Sequence, residues 1–180
     1  MATVMSARFS VLLLPLMLGC QEIDGACPEV ESVTPASSDA EATEPVVVEG
    51  RSFALGHEGL WDEGPASPPE VWFDVSLEDS VPEELLTPED QAALAAMGEM
   101  SLEADRVVYV SSSRLDVTLP DVSWSDIESG ASMYGMDMEI PDFITEMALV
   151  TRVRVVNPTG CEATWSEDFS LILAIPQEGQ

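Results

Sequence analysis

Between residues 149 and 175 the chain reads LVTRVRVVNPTGCEATWSEDFSLILAI, and two stretches of it place apolar side chains at every second position. Leu149, Thr151, Val153 and Val155 fall on one side of the first stretch, and Phe169, Leu171, Leu173 and Ile175 on one side of the second. A helix repeats every 3.6 residues and would scatter both sets around its circumference, so the pattern calls for extended strands with one face in a core. Residues 157–160, NPTG, supply the turn between them.

The same rhythm recurs upstream. Strands are expected over 29–34, 45–49, 71–75, 106–111, 113–119, 148–156 and 168–175, with Leu115, Val117 and Leu119 inward and Arg114, Asp116 and Thr118 outward in the fifth. One helix interrupts them: Thr87 is a capping residue, Pro88 suits the first helical position, and Glu89 and Asp90 favour the first turn. About seven strands with turn signals between most of them predict an all-β chain, an immunoglobulin-like β-sandwich with a short inserted helix.

Charge narrows the partners. The 180 residues carry a formal charge of -28 and no lysine, which excludes nucleic acid and anionic membrane surfaces. The acids are dispersed among apolar segments and read as a solvated exterior. Residues 1–19 hold Arg8, an apolar run over 9–18 and Gly19. That run is far short of the roughly twenty residues a membrane-spanning helix needs, so it is expected to be an export signal.

The ending Leu16-Met17-Leu18-Gly19-Cys20 resembles the lipobox of bacterial lipoproteins, with Met17 and Leu18 where leucine and a smaller residue are commoner. The resemblance implies cleavage before Cys20, acylation of Cys20 and membrane attachment through that lipid. Gln21, where an aspartate would signal inner-membrane retention, implies the outer membrane of the cell envelope. Residues 20–27 then read as a tether.

The segments PEVESVTP, VVVEGRSF, VSSSRLDVTLP and VRVVNPTGCEATWSEDFSLIL resemble, in order, the signatures of a TIG (IPT) domain over residues 28–176, with extra material at 76–105 and 121–148. The family implies an immunoglobulin-like fold with a binding or spacer role and no reaction. In such a sandwich successive connections alternate between the two poles. Cys27 and Cys161 then share a pole, and a first strand running parallel beside the last would bring them within disulfide reach. With Cys20 acylated, that pairing leaves no free thiol in an oxidising compartment. The alternative is a Cys20–Cys27 pair in a protein without the lipid.

The same alternation puts both insertions at the opposite pole. There Trp124, Met133, Tyr134, Met136, Met138, Phe143 and Met147 are candidates either to contact a protein or glycan ligand or to pack the inserted helix. A Met-x-x-Met-x-Met spacing at 133–138 and acids at Asp137, Glu139 and Asp142 raise copper or calcium as the alternative, although nearby histidines and a calcium-loop pattern are missing. His57 is the single histidine, with no GxSxG or HExxH nearby, so a hydrolase is the weakest reading. The expectation is a non-enzymatic module without a cofactor.

Overall fold

The computed structural model describes residues 27–56, 66–83, 86–133 and 144–176. Among these lie ten strands and three helices in the order β1 (Glu29–Thr34), β2 (Ser37–Asp39), β3 (Val46–Arg51), β4 (Glu70–Ser76), α1 (Leu77–Ser80), α2 (Pro88–Met97), β5 (Glu99–Glu103), β6 (Arg106–Ser111), β7 (Arg114–Thr118), α3 (Trp124–Met133), β8 (Glu146–Val156), β9 (Glu162–Thr164) and β10 (Phe169–Ala174). Each of the seven expected strands has its counterpart. The additions are β2, β5 and β9.

The strands form two sheets, one ordered β1-β3-β7-β6 and the other β2-β10-β8-β4-β5, with β9 also paired to β8. Their inner faces share one core. Val46, Val48, Leu115 and Val117 come from the first sheet; Val71, Phe73, Val75, Leu149, Val153, Val155, Phe169 and Leu171 come from the second, all fully buried. Phe73 and Phe169 meet at its centre with ring centroids 5.7 Å apart. Strand β8 is long enough to carry β10 along residues 146–151 and β9 along 154–156 on one edge, while β4 lies along the other. Burial on this scale supplies the main driving force for a β-sandwich, at roughly 25 cal/mol per Å² of apolar surface.

Two expectations are corrected. The opening strand does not run beside the last: β1 pairs antiparallel with β3, and after residues 35–36 the chain crosses to the other sheet, where β2 lies parallel to β10. Pro35 stands at that crossing, where a residue without an N–H leaves no ladder bond unmade. The single expected helix is also not all that the inserted material holds, because in 76–105 Glu99–Glu103 follows that helix as a strand, pairs antiparallel with β4 and extends the second sheet. Within 121–148 a second full helix, α3, buries Trp124, Ile127 and Ala131.

At one pole Cys27 and Cys161 are joined by a disulfide, their Cα atoms 5.1 Å apart and 134 positions apart in sequence. Asn157 reinforces this end from inside. Its side chain donates to the Ser52 carbonyl at 2.8 Å and accepts from the Ala54 N–H at 3.1 Å, tying the β3–β4 connection to the β8–β9 turn. Gly50 is required here because a Cβ would lie 1.9 Å from the Glu29 carbonyl oxygen. The strand directions put the ends of β4, β7 and β10 and the start of β8 at the opposite pole.

Candidate functional site

A groove of about 560 Å³ opens at that opposite pole. Three stretches build it: the turn over 39–42 that follows β2, the approach to α3 over 121–125, and the end of β10 over 172–176, with Glu146 contributed by β8. Val122, Trp124 and Leu173 are buried beneath it and Ile172 and Ile175 half-buried, so its floor is apolar. Asp39, Glu41, Asp121 and Glu146 are exposed on its rim. Among the described residues, no arginine lines it.

Local chemistry fixes this geometry. Ser123 stands immediately before α3, and the Asp126 carboxylate of the first turn accepts from the Ser123 N–H at 2.8 Å and from its hydroxyl at 2.6 Å. Those bonds, the side-chain one first, hold the Asp126 carboxyl below its ordinary range. The first helical residue, Trp124, is thereby turned into the protein, only 5% exposed. On the other wall, Ala42 N–H returns to the Asp39 carbonyl at 3.0 Å and bends the chain away from β10 as soon as β2 has ended.

The sequence-derived candidates fare unequally. Trp124 lies in the groove lining and is not displayed outward. Met133, at the end of α3, is 83% exposed and outside the groove lining. Met147 is not a loop residue but an inward residue of β8, buried against the core. Tyr134, Met136, Met138 and Phe143 lie outside the described residues, as do Cys20, His57 and the acids Asp137, Glu139 and Asp142. The rim acids escaped the sequence reading because they come from separate segments with no shared motif. Only the α3 start left a signal, Ser123-x-x-Asp126 before an apolar series at 124, 127 and 131.

A second polar constellation sits on the outer face of the larger sheet. Asp74 of β4, 7% exposed, takes a bidentate contact from Arg154 of β8 at 2.8 and 3.0 Å and a bond from the Ser101 hydroxyl of β5 at 2.5 Å. Burial disfavours its charge, but the bonds from Arg154 and Ser101 outweigh that and lower its pKa. Arg154 also stacks over Trp72, 5.7 Å from the ring centroid, and reaches Glu162 at 3.3 Å. Its protonated form is correspondingly held firmly, chiefly by the Asp74 hydrogen bonds. Each group is satisfied by its neighbours, so this cluster clamps four strands, β4, β5, β8 and β9, together and leaves little free capacity for a ligand.

Among the described residues no three His, Cys, Asp or Glu side chains gather as a metal site, and no helix is long and apolar enough to cross a membrane. The groove therefore offers carboxylates around an apolar floor, a setting suited to a ligand with apolar and cationic groups. Comparison with protein-family models, curated proteins and solved structures gives no match.

Proposed function

We propose that this chain is a non-enzymatic, immunoglobulin-like module of the TIG type, lipid-anchored through Cys20 in the outer membrane of a bacterial envelope, that contacts a protein or glycan through the pole opposite its disulfide. The fold assignment is supported by strand order. With β1, β3, β7 and β6 read as strands A, B, E and D, and β10, β8 and β4 as G, F and C, the orders A-B-E-D and G-F-C support that reading.

The observation that carries the functional reading is polarity. The chain enters the sandwich at Cys27, beside Cys161, while the groove opens at the far end of the strands. An anchor at residue 20 would present the groove away from the membrane, and a rigid sandwich is a good platform for such a display. The test places a photo-crosslinking amino acid at Glu41, on the groove rim, and separately at Ser112, in the turn at the disulfide pole, in the exporting cell. A discrete adduct from Glu41 and none from Ser112 is expected. Adducts only from Ser112, or from neither, would overturn the reading. The intact mass of the purified chain reports the acyl groups and the cleavage site.

A further inference from the structure

Among the described residues, the groove is also the point where the edge of the larger sheet is left open. Ser170 N–H donates to the Ala36 carbonyl at 3.0 Å, and the Ile172 carbonyl accepts from Ala40 N–H at 2.9 Å, so the even-numbered residues of β10 direct their backbone groups toward β2. Ile175 N–H goes the other way, to the Thr145 carbonyl at 2.8 Å. Ala174 is the next even-numbered residue. It is exposed, its ladder partner on the β8 side is Glu146, and β2 has already ended at Asp39. Its N–H and C=O thus face the lane that β2 has vacated, in the groove that Trp124 and the rim acids also line.

We propose that a short cationic segment of a partner protein binds here in extended form, continuing the lane of β2 and exchanging main-chain hydrogen bonds with Ala174. This deepens the functional proposal and rests on its assignment of the distal pole as the contact face. Strand addition gives affinity through the backbone and selectivity through alternate side chains. One alternate set would lie over the apolar floor made by Val122, Trp124 and Leu173. The other would meet Asp39, Glu41, Asp121 and Glu146, where lysine or arginine finds carboxylates and an acidic segment meets only like charge. The bend at 39–42 keeps the chain's own strand from occupying this length of the edge.

The probes are fluorescent eight-residue peptides read by anisotropy with the full chain: alternating Lys-Val, the same peptide N-methylated at every second residue, and alternating Glu-Val. A chain this acidic attracts any cation, so the controls separate a built site from diffuse attraction. The Lys-Val peptide is expected to bind, the Glu-Val peptide not. N-methylation is expected to weaken binding about tenfold by removing backbone donors, and Glu41→Arg or Glu146→Arg by a similar factor. Glu103→Arg, on the opposite edge of the sheet, is expected to change it less than about twofold. Equal binding by the N-methylated peptide, or equal loss in Glu103→Arg, reduces the effect to net charge and overturns the proposal. No binding by the Lys-Val peptide overturns it too; a Glu41 adduct in cells would then still leave the distal pole as the contact face with a different ligand chemistry, whereas its absence would remove both.

Discussion

Arg154 is the residue on which most local structure converges. It satisfies a nearly buried Asp74, covers Trp72 and reaches across to Glu162. Removing it leaves the Asp74 carboxylate with Ser101 as its remaining side-chain donor in a poorly hydrated place, and stranding a buried charge typically costs about 3–5 kcal/mol. Arg154 is about a quarter exposed, so water recovers part of that; Arg154→Ala is expected to lower unfolding stability by about 2–3 kcal/mol. The pH dependence follows from the lowered carboxyl. An unfolded aspartate titrates near 3.9. The pair's contribution is complete above that value and is lost as the pH falls through the lower folded pKa. A double-mutant cycle with Asp74→Ala, followed by urea unfolding, should give a coupling of about 1–3 kcal/mol at pH 7 that shrinks toward zero in strong acid. A coupling that grows in acid would contradict this assignment.

At the scale of elements, α3 depends on its first turn. Ser123 supplies the carbonyl that the Asp126 and Ile127 N–H groups reach and the hydroxyl that Asp126 accepts from. Ser123→Ala keeps those main-chain bonds and removes only the hydroxyl donor to the exposed Asp126 carboxylate, so stability should fall only slightly, while amide exchange along α3 should quicken more than exchange in β8. The elements also differ in how far they could be read in advance. Strands β3, β4, β7, β8 and β10 alternate strongly because one side of each faces the core, and hydrophobic periodicity is that burial seen in sequence. The helix over Pro88–Met97 was announced by Thr87 and Asp90, which form a capping box, and by Pro88 at its start, whereas Gly98 at φ +71° ends it and releases Glu99 into a strand. Strands β2 and β9 have three residues each, too few to display a period, and β5 is polar on its outer side and only half-buried on its inner one. They are strands because an existing edge offers them partners, which is tertiary information. The groove was hidden for the same reason: its rim is assembled from residues 39, 41, 121 and 146, and only the folded topology makes them neighbours.

For the whole molecule, the opposing terms are charge and cross-link. Thirty-four acids face six arginines, and folding holds that excess in a small volume. Exposed pairs such as Arg51–Glu29, Arg51–Glu31, Arg114–Asp116 and Arg152–Glu99 each contribute only about 0–1 kcal/mol and weaken with salt. The repulsion also weakens with salt, and it involves far more charges. Between about 0.01 and 0.15 M salt the Debye length falls from roughly 30 to 8 Å, so stability should rise over that range. The disulfide modifies this. By closing 134 positions it restricts the unfolded chain, a stabilisation of about 5 kcal/mol in the chain-entropy model, and it also keeps the unfolded chain's carboxylates closer together than a free chain would. In a Cys27→Ser, Cys161→Ser variant the unfolded state can expand further and shed more repulsion, so folding it confines charge from a more relaxed reference. Its stability should therefore start lower by about 2–5 kcal/mol and climb more steeply with added salt than that of the cross-linked chain. Urea unfolding of both forms at several salt concentrations measures the two slopes, and equal slopes would mean that the disulfide acts without bringing the unfolded charges together.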